Sequence, residues 1–498
     1  MKPWPKNPLI YEINTWVWLE ELSRRHRRSV TLASVPSPEW DRLSSFGADA
    51  IWFMGVWERS PAGIRIALGN EGLMADFRRA LPDVKSEDIV GSPYCVRRYA
   101  VDGHIGGPDG LAVARGMLRE RGLRMILDFV PNHVAPDHPW VSGHPEYFIG
   151  GTVEDLHNDP SSFFESGGRI FACGRDPFFP AWPDVLQLNA FNPGLRRAAT
   201  ETVADIAGQC DGIRCDMAML LLNHVFERTW GGRAGEMPDG GYWTTIIPPA
   251  KRVNADFIFI AEAYWDLEWE LQQQGFDFCY DKRLYDRLEH STAEDIRLHL
   301  MADPAYQKKL VRFIENHDEP RAAATFAPGK GRAAAVVSLT LTGAKLFHEG
   351  QSEGMRTRLP VFLGRRPVEP AGSDLVTFYD GLLKAIDHEV FRNGHWQLCD
   401  RTGWPDNQSF LNVLSWCWVH GEERYLIVVN YSDAPAQTRI HVPWEELRGK
   451  TWSLQDALTG GTYIRSGDEM RESGLYAELG PWGLHVFSLQ PSGIRVGN

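Results

Sequence analysis

Short apolar runs recur through about the first 390 residues of this 498-residue chain, each too short for a helix and most of them followed by sequence of helical period. The runs are Leu9–Trp18, Ala48–Met54, Leu123–Val130, Asp211–Asp216, Asp256–Glu262, Phe276–Tyr280, Lys309–Glu315 and Ala344–His348. Helical patterns lie between them at 39–46, 108–121, 192–209, 291–301, 331–341 and 374–391. Leu123–Val130 is nearly all apolar, as a strand buried on both faces of a parallel sheet must be. Eight such strand–helix units close into a (β/α)8 barrel, and the C-terminal strand ends of that barrel share one face.

Two segments break the alternation. From 134 to 191, Pro, Gly, Asp, His and Phe dominate, and the length between two strands suits a small inserted domain better than a loop. From 394 onward, short β-rich runs separated by turns read as an all-β sandwich. The expected fold is therefore α/β: a (β/α)8 TIM barrel (1–133 and 192–393), an inserted domain after the third strand (134–191) and a C-terminal all-β sandwich domain (394–498). A Pro/Gly-rich stretch running to Ser92-Pro-Tyr94 reads as a long functional loop.

The formal net charge of -13 argues against nucleic acid or an anionic membrane as partner. No window approaches the roughly 20 apolar residues of a membrane span. The N-terminus lacks a signal-peptide core, so a cytoplasmic protein is expected. Seven scattered cysteines give neither a disulfide framework nor a zinc spacing. Most of the 19 tryptophans belong to a core; Trp57, Trp182, Trp243, Trp265 and Trp269, near loops and strand ends, are candidates for stacking on sugar rings.

Three strand ends carry carboxylates: Asp216, Glu262 and Asp318. In Asp211-Gly-Ile-Arg-Cys-Asp216, strand alternation puts Arg214 and Asp216 on one side and Cys215 on the other. A guanidinium beside Asp216 favours its ionised form, which suits a nucleophile. Glu262 follows apolar residues and sits between Ala261 and Ala263, where poor hydration would raise its pKa toward that of a general acid. One carboxyl ionised and one protonated is the division of labour of a retaining glycosidase.

The segments Asp128-Phe-Val-Pro-Asn-His133, Gly212-Ile-Arg-Cys-Asp216, Phe259-Ile-Ala-Glu262 and Phe313-Ile-Glu-Asn-His-Asp318 resemble, in order, the four short motifs of the α-amylase family of glycoside hydrolases (family 13). Gln187-Leu-Asn189, Ser92-Pro-Tyr94 and Phe347-His-Glu-Gly-Gln351 are similar to further segments of that family. The resemblance implies that Asp216 is the nucleophile, Glu262 the acid/base and Asp318 a grip on the 2- and 3-hydroxyls. It implies that Arg214 holds Asp216 ionised, His133 and His317 bind sugar hydroxyls, Tyr94 stacks on the sugar, and Asp128 supports Arg214. Trp265 is taken as a further substrate contact. The implied substrate is an α-linked gluco-oligosaccharide, cleaved by water or passed to another sugar; a silent carbohydrate-binding protein is the reading from another class.

Met219 and Leu220 stand where many amylases carry Lys-His, which removes an acceptor-side contact and weakens the case for calcium. No metal or cofactor is expected, although Asn132 could still serve a structural Ca2+. Linkage, endo or exo action and oligomeric state stay open.

Overall fold

The computed structural model describes residues 3–492. Eight strands form one closed barrel: β1 (Leu9–Asn14), β2 (Ala50–Met54), β3 (Arg124–Phe129), β4 (Gly212–Cys215), β5 (Ile258–Ala261), β6 (Phe278–Tyr280), β7 (Leu310–Arg312) and β8 (Ala344–His348). They are neighbours in chain order, with β8 beside β1. Every residue of β3, β4 and β5 is buried, as expected for strands covered on both faces. Gly212 opens β4 for a steric reason: a Cβ there would lie 2.5 Å from Ile258 Cγ1 on β5.

The chain divides into two compact units, residues 1–3, 11–280 and 357–368 in one and 4–10, 281–356 and 369–498 in the other. In the first unit, β2–β6 run parallel with Arg214 registered opposite Asp128 and Ile260. The helix Pro193–Gln209 leads into β4; Asn192 caps it by accepting from the Gly194 and Leu195 N–H groups at 2.8 and 3.1 Å. Residues 133–187 carry a four-stranded antiparallel sheet of His133–Val134, Trp182–Gln187, Arg169–Gly174 and Phe163–Ser166. Phe148 and Phe171 pack beneath it with Val134, Leu186 and Leu188.

In the second unit, a six-stranded and a three-stranded antiparallel sheet share one core, with Val413, Leu426 and Phe487 from the first and Ile440, Leu475 and Leu479 from the second. The Trp416 and Trp418 indoles both donate to the Thr340 carbonyl, at 3.1 and 2.8 Å, and so join the sandwich to the helix Pro328–Thr340.

Some expectations fail locally. Thr15–His26 is a helix, so the first strand stops at Asn14, whose side chain caps the turn. The stretch before Tyr94 holds two helices, Pro61–Gly69 and Glu71–Ala80; Pro61 sits in the first turn, where its missing N–H costs nothing. The segment 374–391 is split into Ser373–Ile386 and Glu389–Asn393. Tyr242–Val253 is helical despite Pro248 and Pro249. All seven cysteines are free and buried.

Candidate active site

Arg214 is the centre of the first unit's polar core. It is 1 % exposed at the third position of β4. Its Nη1 donates to Asp216 Oδ1 at 2.7 Å, and its Nη2 lies 2.8 Å from Glu262 Oε2 as an ion pair off the hydrogen-bond line. Trp52, Tyr94 and Tyr280 present their rings 5.5, 5.1 and 5.8 Å from the guanidinium carbon. These faces compensate part of the hydration that burial removes. Burial works against the charge on Arg214, but the Glu262 carboxylate and its other neighbours outweigh it and hold the group well above the ordinary arginine value.

Asp216 and Glu262, 5 % and 3 % exposed, thus share one cation. Glu262 is as poorly hydrated as its apolar neighbours in sequence suggest, but the guanidinium expected beside Asp216 also reaches it. Glu262 Oε2 also accepts the Met217 N–H at 2.6 Å, and its Oε1 accepts the Tyr264 hydroxyl at 2.8 Å. The sequence reading missed both donors. Tyr264 lies two residues from Glu262, which was signal enough to test it. The Met217 N–H points at Glu262 only because Met217 is left-handed, at φ 43 and ψ 45, and no residue pattern announces that. A non-glycine residue in this conformation carries local strain that the surrounding contacts must hold.

Asp128, on β3, fixes Trp52 and the turn at Gly55. Its Oδ1 accepts from the Trp52 indole at 3.2 Å and its Oδ2 from the Gly55 N–H at 3.0 Å. Gly55 has φ 79, and a Cβ there would meet Arg59 Nη2 at 2.7 Å and Pro93 Cβ at 2.9 Å, so this turn accepts only glycine.

His133 is buried, and burial pushes its pKa down to about 4 against a hydrogen bond to the Tyr94 backbone. It is neutral at pH 7 and able to donate to or accept from a hydroxyl. Trp182 lies beside it, centroids 5.2 Å apart. Asn132 and Gln187 form an amide pair, Gln187 Nε2 donating to Asn132 Oδ1 at 2.9 Å. The oxygen considered for calcium therefore already has a donor. Among the described residues, no group of three or more His, Cys, Asp or Glu is placed to hold a metal.

The five tryptophans separate. Trp57 and Trp243 are core residues, each about 1 % exposed or less, with their indoles on the Asp128 and Ala218 carbonyls. Trp265 is half-buried and left-handed, φ 64, and meets Phe178 edge-on at 4.8 Å. Phe178 and Phe179 are 53 % and 66 % exposed. The turn displaying them is fixed by buried Asp176, whose Oδ1 accepts from both backbone N–H groups at 2.7 and 2.9 Å. Trp269 is 51 % exposed.

His317 and Asp318 belong to the second unit. His317 Nε2 lies 2.9 Å from Asp318 Oδ2, with the His317 side chain buried and that of Asp318 41 % exposed. Asn316 Oδ1 accepts from the Asp318 and Glu319 N–H groups at 2.9 and 2.8 Å. Behind this turn, Glu315 takes Arg321 at 2.6 Å and His348 at 3.1 Å, all three buried.

The barrel thus carries two buried carboxylates beside a buried arginine at the ends of adjacent strands. No family model matches the chain. It is 24 % identical over 373 residues to the alpha-amylase MalA of Haloarcula japonica, covering 71 % of this chain and 45 % of that protein. It is 27 % identical over 209 residues to an alpha-1,4-glucan:maltose-1-phosphate maltosyltransferase of Streptomyces coelicolor, covering 39 % and 25 %. The solved maltogenic alpha-amylase AmyB of Thermotoga neapolitana has the same fold, with a TM-score of 0.69, 19 % identity and coverage of 97 % and 98 %. In sequence and in fold the chain is thus similar to proteins named alpha-amylase. It spans about half the length of the curated relatives it matches. Among the described residues, no helix is long and apolar enough to cross a membrane.

Proposed function

We propose that this protein is a retaining hydrolase of α-glucosidic bonds in gluco-oligosaccharides. The observation that carries the reading is the pair of buried carboxylates, Asp216 and Glu262, on the two ends of one guanidinium. Carboxylates bridged so closely suit the roughly 5–5.5 Å separation of retaining enzymes better than the wider gap that admits a water in inverting ones. Asp216 attacks the anomeric carbon as Glu262 gives its proton to the departing glycosidic oxygen, leaving a glycosyl ester on Asp216. Glu262, now ionised, takes a proton from water, which attacks the same carbon and frees Asp216.

Arg214 holds the nucleophile ionised, while the Met217 N–H and the Tyr264 hydroxyl orient Glu262. Neutral His133 and the Tyr94 ring serve the sugar ring; His317 and Asp318 take the hydroxyl-binding roles that the resemblance assigns. The exposed Phe178 and half-buried Trp265 supply apolar faces for further glucose units. No step requires a metal. Seven free thiols suit a reducing compartment, in keeping with a cytoplasmic protein.

The maltosyltransferase relative favours a second reading, in which a sugar hydroxyl replaces water at the intermediate. Incubation with maltopentaose separates the two. Only shorter sugars in early samples mean hydrolysis; products longer than the substrate mean transfer. Asp216→Ala is expected to abolish both with the fold retained, and turnover surviving in that variant would refute the site.

A further inference from the structure

The second unit holds a cavity of about 400 Å³ between the helix Pro328–Thr340, the helix Ser373–Ile386 and the 351–356 loop. Gln351 and Tyr379, both 3 % exposed, are part of its lining, and Gln351 Nε2 donates to the Tyr379 hydroxyl at 3.0 Å. Phe326 and Leu375 supply apolar walls. Two arginines and one carboxylate line it: Arg332, Arg356 and Asp374. Arg356 is engaged, its Nη1 donating to the Ala323 carbonyl and its N–H to Glu369 Oε2. Arg332 is not. It is half-buried over the Phe378 ring, 5.6 Å away, and it has no hydrogen bond or ion pair among the described residues.

A guanidinium on a cavity wall with no carboxylate of its own presents a forked set of donors that matches an oxyanion such as phosphate. The volume lies in the range of small-molecule sites, roughly 300–1,000 Å³, and exceeds what a bare oxyanion fills. Ser373 and Asp374 can take hydroxyls, and Phe326 and Leu375 can take the C–H face of a ring. We propose that this cavity binds a phosphorylated monosaccharide, the phosphate on Arg332 and the sugar hydroxyls toward Ser373 and Asp374. The inference does not rest on the catalytic reading above, since the cavity lies wholly in the second unit and shares none of the residues given catalytic roles.

The test is calorimetric titration of the full chain with glucose 1-phosphate, glucose and inorganic phosphate. Glucose 1-phosphate is expected to bind with glucose at least tenfold weaker, and inorganic phosphate weaker than the sugar phosphate. R332Q is expected to lower the affinity for glucose 1-phosphate at least tenfold and R332K by less, both with the parent's thermal unfolding profile. Asp216→Ala is expected to leave this affinity unchanged, which separates the cavity from the carboxylate site. Absence of binding, equal binding of glucose or of phosphate alone, loss in Asp216→Ala, or full affinity in a folded R332Q would each overturn the proposal.

Discussion

Replacing Arg214 by lysine keeps a positive charge in the site but removes the fork. An ammonium has all its donors on one atom and cannot place one nitrogen against Asp216 Oδ1 and a second against Glu262 Oε2. The aligned bond to Asp216, 2.7 Å long and fully buried, is of the charge-assisted kind, worth about 1.5–3 kcal/mol. Arg214→Lys is therefore expected to lower unfolding free energy by about that amount. Arg214→Ala, which leaves two buried carboxylates without their cation, is expected to lower it by about 3–5 kcal/mol. If the same bond positions Asp216 in the transition state, the lysine variant loses roughly 10- to 100-fold in kcat at about 1.4 kcal/mol per decade. Urea unfolding followed by tryptophan fluorescence measures the first quantity, and initial rates on a chromogenic maltooligoside the second. A lysine variant within about 0.5 kcal/mol of the parent, with unchanged turnover, would refute the claim that the fork organises the site.

Three further outcomes follow from burial and from the exposed aromatics. Burial pushes the Asp184 carboxyl up to about 6, so the folded state keeps a proton that the unfolded chain releases near pH 4. Stability is then lost as pH rises through that window, and Asp184→Asn is expected to gain about 2–3 kcal/mol at pH 7 and nothing at pH 4, as read by urea titrations at both. His133 has the opposite sign. Its folded pKa of about 4 lies below the unfolded value near 6.5, so its contribution of about 3 kcal/mol is present above pH 6.5 and lost as pH falls through 4. His133→Gln is expected to flatten the unfolding free energy across that range; an unchanged slope would place the imidazole in water. Phe178→Ala is expected to raise KM for maltopentaose roughly fivefold, about 1 kcal/mol, while leaving a single-ring aryl glucoside unaffected; equal effects on both would show that the ring supports the fold and not the substrate.

The barrel was legible because its cause is one-dimensional. Strands buried on both faces must be apolar runs, and Arg124–Phe129, Ile258–Ala261 and Ala344–His348 lie within the runs expected of them. The failures are places where tertiary contacts override local pattern. Thr15–Trp18 alternates well enough for a strand, yet Asn14 caps a helix there and Val17 and Trp18 are buried. Pro248 and Pro249 would end an isolated helix, but Tyr242, Trp243, Ile246 and Ile247 bury one face of Tyr242–Val253 and the helix continues past them.

The polar core was legible in its residues but not in its wiring. Alternation along β4 puts Arg214 and Asp216 on one side, and the 2.7 Å bond follows from that. It does not disclose that the same guanidinium reaches Glu262 on the adjacent strand, because that depends on register, Arg214 opposite Ile260. Glu262 is consequently dry without being in an apolar setting: both its oxygens have donors, from Met217 on one side and Tyr264 on the other. A carboxyl so held is fixed in orientation by its donors. Removing one donor at a time is therefore the informative experiment. Tyr264→Phe takes away the contact to Oε1 and leaves the Arg214 and Met217 contacts to Oε2. If Glu262 works as the proposed acid/base, that variant should change the pH dependence of kcat while the glycosyl ester on Asp216 still forms.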